Sequence, residues 1–159
     1  MVKTNAMRLL DGEGISYKVL EYQVDESDLS GEHAAQLAGY PVEQIFKTLV
    51  LKGEKTGYFV CCIPSHEELD LKKVAKAMKD KKADMIPMKE LLPLTGYVRG
   101  GCSPIGMKKK FPTLVDETAV LFDEIAVSAG MRGVMLLISP DALCDYIGAS
   151  MWDLTKETL

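Results

Sequence analysis

Residues 46–63 read FKTLVLKGEKTGYFVCCI, a largely apolar stretch with a polar centre. Two apolar runs, residues 46–51 and 58–63, flank the polar link at residues 52–57. Short runs rich in β-branched and aromatic residues on either side of a glycine-containing link are typical of two strands joined by a turn. The stretch therefore predicts a β-hairpin.

Helices and strands alternate irregularly on both sides of this hairpin. The apolar spacing predicts helices at residues 4–11, 32–38, 71–79 and 88–94 and a last helix that opens at Pro140. It predicts further strands at residues 15–22, 83–86, 113–116, 125–128 and 134–139, and a short element at 151–154. Because the strict strand–helix–strand repeat of a doubly wound sheet is missing, the pattern favours an α+β fold with a mixed sheet.

The composition indicates one ordinary domain. The chain has 159 residues, of which 47% are apolar, so its core needs no disulfide or metal. No apolar run is long enough to cross a membrane, and the first residues do not resemble a signal peptide, so we expect a soluble protein that is not exported. Four cysteines without a Cys-x-x-Cys pair and two histidines argue against a zinc site.

The charge is unevenly distributed. The formal net charge is −4, yet residues 71–110 hold eleven Lys and Arg against three acids, a balance of +8. The other residues hold eight basic against twenty acidic side chains, a balance of −12. The basic stretch is either a binding surface for a polyanion or a solvated face, and charge alone does not decide between them.

The helix predicted at residues 71–79 concentrates this charge. Asp70 is a plausible N-cap, and the apolar positions recur with helical spacing. The intervening lysines are expected to face outward on one side, namely Lys72, Lys73, Lys76 and Lys79.

The common catalytic templates are absent from the sequence. There is no Gly-x-Ser-x-Gly, His-Glu-x-x-His, Walker or dinucleotide-binding motif. His66 lies between Ser65 and Glu68, which are spaced as a helix capping box, so we interpret it as a residue of a helix start. His33 is interpreted as structural in the same way, so a Ser-His-Asp or Cys-His site is not expected.

Lys47 is the first candidate for chemistry. Side chains alternate along a strand, so Lys47 and Leu49 share the side that we expect to be the more apolar one. A lysine that enters a partly buried site loses hydration and its pKa falls, and such a group can hold a carbonyl, ester or phosphate oxygen. The alternative is an ordinary lysine at a strand end that reaches solvent.

Glycines supply the second candidate. Gly100-Gly-Cys-Ser103 brings backbone N–H groups within reach of a ligand, which suits an oxyanion hole or anion site, or else it is a tight surface turn. Ser128-Ala-Gly130 is a second turn of small residues. The basic run at residues 108–110 follows the glycines and would suit a ligand with a phosphate backbone.

Several motifs together resemble the YbaK/EbsC family. They are Phe46-Lys-Thr-Leu49, Leu69-Asp-Leu-Lys-Lys73, Lys81-Lys82, Thr95-Gly-Tyr97, Gly100-Gly-Cys-Ser-Pro-Ile-Gly106, Val127-Ser-Ala-Gly130 and Arg132-Gly133. Each is weak alone, but their order and spacing extend from Thr4 to about Ala149. The resemblance implies a single editing domain over residues 1–159, with a barrel-like, largely antiparallel sheet surrounded by helices.

The resemblance also implies an activity. Characterised bacterial members are cytoplasmic Cys-tRNA(Pro) deacylases, which clear a wrong amino acid that a synthetase pocket cannot reject strongly. They use no metal or cofactor and act with prolyl-tRNA synthetase, and no membrane or DNA partner is implied. The family's essential lysine falls on Lys47, and the resemblance implies that the cysteine substrate's own thiol attacks the ester.

The resemblance implies that Tyr22, Thr48, Gly100 and Ser128 belong to the substrate pocket, to which Gly101 of the glycine cluster is added. The basic stretch predicts that tRNA contacts Lys72, Lys73, Lys76, Lys108 and Lys109. Ser30 stands where members often carry an aromatic residue, and Met131 replaces a common lysine. The alternatives are a sister specificity such as Ala-tRNA(Pro), or a non-catalytic module that binds tRNA or a nucleotide.

Overall fold

The structure is a computed structural model that describes residues 3–157. Within that range the helices are α1 (Asn5–Gly12), α2 (Gly31–Ala38), α3 (Leu71–Ala77), α4 (Leu91–Thr95) and α5 (Pro140–Ile147). The strands are β1 (Lys18–Glu21), β2 (Phe46–Gly53), β3 (Gly57–Pro64), β4 (Ala83–Met85), β5 (Thr113–Asp116), β6 (Ile125–Met131), β7 (Val134–Ile138) and β8 (Ser150–Trp152). Short 3₁₀ turns lie at Val42–Gln44, Met88–Glu90 and Glu117–Leu121. The α+β class predicted from the sequence is confirmed.

The strands form two sheets. The larger has the order β4-β2-β3-β5-β8, in which β4, β2 and β3 are antiparallel and β3, β5 and β8 are parallel. The smaller has the antiparallel order β1-β7-β6. A single parallel bridge between Ile45 and Ala126 joins them. Among residues 3–157 the strands therefore do not close into a true barrel, and the expected barrel-like sheet is instead two sheets that meet at one bridge.

The hairpin predicted from residues 46–63 is present as β2 and β3. Their register runs from Phe46 opposite Pro64 to Gly53 opposite Gly57. Asp80, just beyond α3, fastens the turn, because its carboxylate accepts hydrogen bonds from the N–H groups of Lys55 (3.0 Å) and Thr56 (2.9 Å). The distant end of α3 thus holds a turn that the local sequence only outlines.

Both faces of the hairpin are buried. Alternation along the strands sends Phe46, Val50, Val60 and Cys62 into one apolar cluster, together with residues of α1, β6 and α5. It sends Leu51, Phe59, Cys61 and Ile63 into another cluster beneath α3. The expectation that the Lys47 side is the more apolar one is therefore wrong, because two packed layers cover the sheet.

Local signals located most of the helices. The Asp70 side chain accepts hydrogen bonds from the N–H groups of Lys72 (3.0 Å) and Lys73 (3.2 Å), so it caps α3 as predicted. The capping box around His66 is wrong: residues 65–67 form a turn in which the Glu67 N–H donates to the Pro64 carbonyl (3.0 Å), and no helix follows it until α3. The helix instead begins after Asp70, because apolar residues with helical spacing follow Asp70 directly.

Candidate active site

A cavity of about 480 Å³, here called the main cavity, lies between β2 and two loops. Its strand wall consists of residues 46–50 of β2 together with Ser65, which directly follows β3. Its loop wall comes from two segments, the acidic loop (residues 25–31) and the glycine loop (residues 96–106), which contribute Leu29, Ser30, Gly31, Arg99, Gly100 and Cys102. The volume is that of a small-molecule site, and most of the lining side chains are apolar.

Lys47 lies in the strand wall and is half-buried. Burial lowers the pKa of its ammonium below the ordinary value, and the negative charges of Glu68, Glu32 and Glu67 offset this only in part. The predicted direction of the pKa shift is therefore found in the structure. A cation that has lost water beside an apolar cavity interacts strongly with an oxygen that brings negative charge to it.

Other predicted pocket residues surround the same cavity. Tyr22, Thr48, Gly100 and Ser128 all line it, although they come from the end of β1, β2, the glycine loop and β6. The Tyr22 N–H donates to the Gly133 carbonyl at 2.9 Å, which continues the pairing of β1 beyond its end. Ser128 lies at the irregular register of β6, where its hydroxyl accepts from the Gly130 N–H at 3.1 Å.

Gly101 is placed differently from the other predicted pocket residues. It does not line the main cavity, and its N–H donates to the Val98 carbonyl at 3.0 Å. A Cβ at Gly101 would lie 3.1 Å from the backbone nitrogen of Arg132 and 3.2 Å from the backbone of Met131. Gly101 therefore packs against the β6–β7 turn, on the side of the glycine loop that faces away from the main cavity.

The acidic loop is held by its own polar side chains. The Asp25 carboxylate pairs with His33 Nε2 at 2.9 Å and accepts from the Ser27 N–H at 3.0 Å. The Ser30 hydroxyl caps α2 by accepting from the His33 N–H at 3.2 Å. Gly31 packs on Ser65 so closely that an added Cβ would lie 2.3 Å from the Ser65 Cβ. The loop and strand walls therefore meet at that contact.

Sequence reasoning missed the contribution of the segment from the end of β4 to the start of α4. Met85, Ile86, Met88 and Leu91 line the main cavity because the Ile86 N–H donates to the Val50 carbonyl at 3.2 Å, which places this segment beside β2. Arg99 was missed as well. The sequence marks these residues only as apolar or basic, and their position depends on a pairing between distant strands.

The predicted tRNA-binding lysines fall into separate groups. Lys72 and Lys76 are exposed on α3. The Lys73 ammonium contacts Asp153 (3.0 Å), the Thr155 carbonyl (2.7 Å) and Glu157 (3.1 Å). Lys73 therefore holds the C-terminal segment against α3 and is not exposed as Lys72 and Lys76 are. Lys108 and Lys109 are exposed, and Lys109 lines a second cavity of about 270 Å³, which shares no lining residue with the main cavity.

Residues 3–157 contain no group of three His, Cys, Asp or Glu side chains arranged to hold a metal ion. None of the helices within this range is long and apolar enough to cross a membrane.

Comparisons with known proteins identify the class. Residues 26–146 match the family model of the aminoacyl-tRNA editing domain. An Enterococcus faecalis protein named "Putative Cys-tRNA(Pro)/Cys-tRNA(Cys) deacylase EbsC" is 46% identical over 155 residues, covering 98% of this chain and 94% of that protein. A solved structure named "Crystal structure of a putative trans-editing enzyme for prolyl tRNA synthetase" has a TM-score of 0.83 at 28% identity, covering 99% of this chain and 100% of the other.

A synthetase is similar to part of this chain. A proline–tRNA ligase of Fervidobacterium nodosum is 30% identical over 79 residues, covering 50% of this chain and 14% of the ligase. The chain belongs to the aminoacyl-tRNA editing domain family, as the resemblance in its motifs indicated. Its activity is accordingly of the hydrolase class that cleaves the ester bond between an amino acid and tRNA.

Proposed function

We propose that this protein hydrolyses cysteine from mischarged Cys-tRNA(Pro) in trans, with Lys47 holding the substrate. The observation that carries the proposal is the half-buried Lys47, whose pKa is lowered by burial in the wall of an apolar cavity. The cavity suits a small amino acid and the ribose to which it is esterified. The 46% identity to the Enterococcus faecalis protein supports the choice of cysteine over other amino acids.

The attacking group is the substrate's own thiol. Among residues 3–157 the one thiol that lines the main cavity belongs to Cys102, and burial raises its pKa to about 12, so it stays protonated near neutral pH. Neither His33 nor His66 lines the cavity. A serine or threonine hydroxyl there has no histidine base to activate it.

The reaction balances without a cofactor. The substrate sulfur bonds to the carbonyl carbon and the bond from that carbon to the ribose oxygen breaks. The departing oxygen takes up the proton that the thiol loses. Water then opens the cyclic thioester and releases free cysteine. The Lys47 ammonium stabilises the negative charge that develops on oxygen during the first step.

Backbone amides of the glycine loop assist at the oxyanion. Gly100 and Cys102 line the cavity, and their N–H groups donate to no acceptor among residues 3–157. The Gly101 N–H is already used by the turn and contributes nothing to the oxyanion. The amides that we assign to this role are therefore those of Gly100 and Cys102.

Charged tRNA is the substrate, and prolyl-tRNA synthetase is the proposed partner in the cytoplasm. Lys72, Lys76, Lys108 and Lys109 are exposed and available to phosphates. Replacing Lys72 and Lys76 by Gln should reduce the slope of log affinity against log salt by about 0.7–0.9 for each phosphate that is no longer neutralised. Lys18→Gln is the control, since Lys18 lies outside the basic stretch. An unchanged slope in the double variant would show that α3 carries only a solvated face.

The decisive experiment is a deacylation assay on Cys-tRNA(Pro), Ala-tRNA(Pro) and tRNA(Pro) charged with 2-aminobutyrate, which replaces the thiol by a methyl group. The wild type should hydrolyse the cysteine ester at least ~100-fold faster than the 2-aminobutyrate ester, because only the first has a nucleophile. Lys47→Ala should lose at least ~100-fold in kcat/KM. Lys52→Ala, an exposed lysine of the same strand, should keep full activity.

The other possible outcomes of the deacylation assay each lead to a different conclusion. Hydrolysis of Ala-tRNA(Pro) alone would assign the sister specificity. Binding without hydrolysis of any ester would make the chain a binding module. Equal rates on cysteine and 2-aminobutyrate would refute attack by the thiol, and full activity of Lys47→Ala would remove Lys47 from the site.

A further inference from the structure

Arg132 connects the two segments of the loop wall. It lies in the turn between β6 and β7, and its Nε donates to the Arg99 carbonyl of the glycine loop at 2.8 Å. Its Nη1 contacts the Glu26 carboxylate of the acidic loop at 3.0 Å. One guanidinium thus reaches two loops that are separated by about seventy residues of sequence.

The segments that Arg132 connects form part of the wall around the substrate. Gly100 follows Arg99 and lines the main cavity, and Leu29 and Ser30 lie three and four residues beyond Glu26 in the same wall. A small crevice between the two loops is bordered by Tyr22, Ser30, Gly100 and Arg132. A change in the separation of the loops therefore changes the shape of the cavity.

We propose that Arg132 is a positioning residue that sets the width of the amino-acid pocket by holding the glycine loop against the acidic loop. The proposal rests on the deacylase function proposed above. Arg132 acts through the Arg99 carbonyl and the Glu26 carboxylate, and it does not line the main cavity itself.

The packing of the glycines fits this role. A Cβ at Gly100 would lie 3.4 Å from Arg132 Nε and 3.5 Å from its Cγ. At Gly101 a Cβ would meet the Arg132 backbone nitrogen at 3.1 Å. The absence of side chains at these two positions therefore lets the glycine loop lie directly on Arg132, in addition to any approach of a ligand.

The contacts of Arg132 with Glu26 and Arg99 affect the geometry of the pocket more than the stability of the protein. The Glu26 side chain is 72% exposed and the Arg132 side chain 31% exposed, and ion pairs of this kind contribute little to the free energy of unfolding. Lysine is a poor replacement because one ammonium on a flexible stem does not reproduce the two fixed directions of the Nε and Nη1 donors. Loss of Arg132 is therefore expected to leave a folded protein with a looser pocket.

The test compares Arg132→Lys, Arg132→Gln and Glu26→Gln with Lys18→Gln, which removes a different surface ion pair, that of Lys18 with Glu124. The readout is the ratio of kcat/KM on Cys-tRNA(Pro) to kcat/KM on Ala-tRNA(Pro). Both Arg132 variants should lower this ratio about tenfold, mainly through KM for the cysteine substrate. Glu26→Gln should lower it by a smaller factor, and Lys18→Gln should leave it unchanged.

Hydrogen exchange supplies a readout that needs no activity. In Arg132→Gln the amides of residues 26–30 and 98–102 should exchange faster together, while those of β2 and β3 keep their protection. If only one loop loosens, or neither does, the proposal is overturned. It is also overturned if the kcat/KM ratio stays constant while the salt dependence of KM falls, since Arg132 would then bind a tRNA phosphate.

The two proposals fail in different ways. A wild type that hydrolyses neither ester refutes the deacylase assignment. Faster exchange in both loops of Arg132→Gln would still show that Arg132 holds the two loops together. If the wild type is active and all three variants keep its ratio of kcat/KM on Cys-tRNA(Pro) to kcat/KM on Ala-tRNA(Pro), the positioning role alone is refuted.

Discussion

The strand wall and the loop wall of the main cavity are held by different interactions. Lys47 and Thr48 belong to β2, which pairs with β3 along its whole length and with β4 near its end, and both of its faces are buried. The acidic and glycine loops have no ladder of this kind. They are fixed by single contacts, such as Asp25 with His33 and Arg132 with Arg99.

The difference separates two tasks of the site. The group assigned to charge stabilisation lies on the part of the fold that is most costly to deform. The groups that set the pocket's shape lie on loops, where a few polar contacts determine the geometry. Substitutions of the fully buried residues of β2 and β3 should therefore change stability first, and substitutions of the polar contacts that hold the two loops should change activity and local motion first.

The largest effect is expected from Phe59→Ala in β3. Phe59 is fully buried, and removal of its ring leaves a cavity in the cluster beneath α3. The free energy of unfolding should fall by about 3–5 kcal/mol, as measured by urea denaturation. Val120→Ala is the control, because Val120 is 71% exposed, and it should change the free energy by less than about 0.5 kcal/mol. A small loss for Phe59→Ala would mean that the hairpin is less tightly packed than described.

Gly31→Ala probes the contact between the two walls. The new Cβ would lie 2.3 Å from the Ser65 Cβ, so α2 must move away from the end of β3. We expect a loss of about 1–3 kcal/mol in unfolding free energy together with a lower kcat/KM.

The double variant Gly31→Ala/Ser65→Gly checks the cause of that loss. It removes the clash and should recover much of both quantities. Gly12→Ala is the matched control, since a Cβ at Gly12 meets nothing within 4 Å. If the double variant were no better than Gly31→Ala, steric contact between the walls would not be the reason.

Asp80→Asn should weaken the hairpin in a pH-dependent way. Hydrogen bonds from the Thr56 N–H above all, and also from the Thr56 hydroxyl, Lys55 and Lys81, hold the pKa of the Asp80 carboxyl well below its usual range. The contribution of Asp80 is present above the unfolded pKa of about 3.9 and is lost as pH falls through the lower folded value.

Urea denaturation at several pH values measures this contribution. Asp80→Asn should lower the urea midpoint at pH 7, and its deficit against the wild type should shrink in strong acid. Asp84→Asn is the control, because the ion pair of Asp84 with Lys82, at 3.6 Å, is exposed. A deficit that is constant over the whole pH range would contradict the role of the Asp80 charge.

The smallest effect is expected from His33 in the acidic loop. Its hydrogen bond to Asp25, aided by Gln36, raises the pKa of the imidazole. The resulting stabilisation is fully present below the unfolded pKa of about 6.5 and is lost as pH rises through the higher folded value. After correction for the intrinsic pH dependence of exchange, the amides of residues 25–30 should therefore exchange faster as the pH rises over that range. His33→Gln should abolish this pH-dependent increase in the exchange rate. His66→Gln should leave it in place.

Local patterns predicted the strand wall well. Alternating apolar residues and a polar link located β2 and β3 to within two residues at each end, and the spacing after Asp70 located the start of α3. The lowered pKa of Lys47 followed from its position next to apolar neighbours. These features depend on residues that are close in sequence, which is the range over which periodicity and capping act.

The loop wall was predicted only in part. Gly100 was singled out through its motif, but the contact of Arg132 with Glu26 spans 106 residues, and no local pattern reveals it. The division of the strands into two sheets was missed for the same reason, since it depends on the pairing of β1 with β7 and of β3 with β5. Lys73 was assigned to the outer face of α3 because its partners, Asp153 and Glu157, are about eighty residues away.

The short edges of the larger sheet have a consequence for self-association. Its outermost strands, β4 and β8, are three residues long, so each offers very few unpaired backbone groups to a second molecule. In the smaller sheet, Ala126 of the edge strand β6 is engaged by its bridge to Ile45. Long, flat open edges are the places where β-proteins recruit further copies and form aggregates. The three-residue strands at both edges of the larger sheet therefore hinder the addition of further strands to the sheet that contains the apolar hairpin.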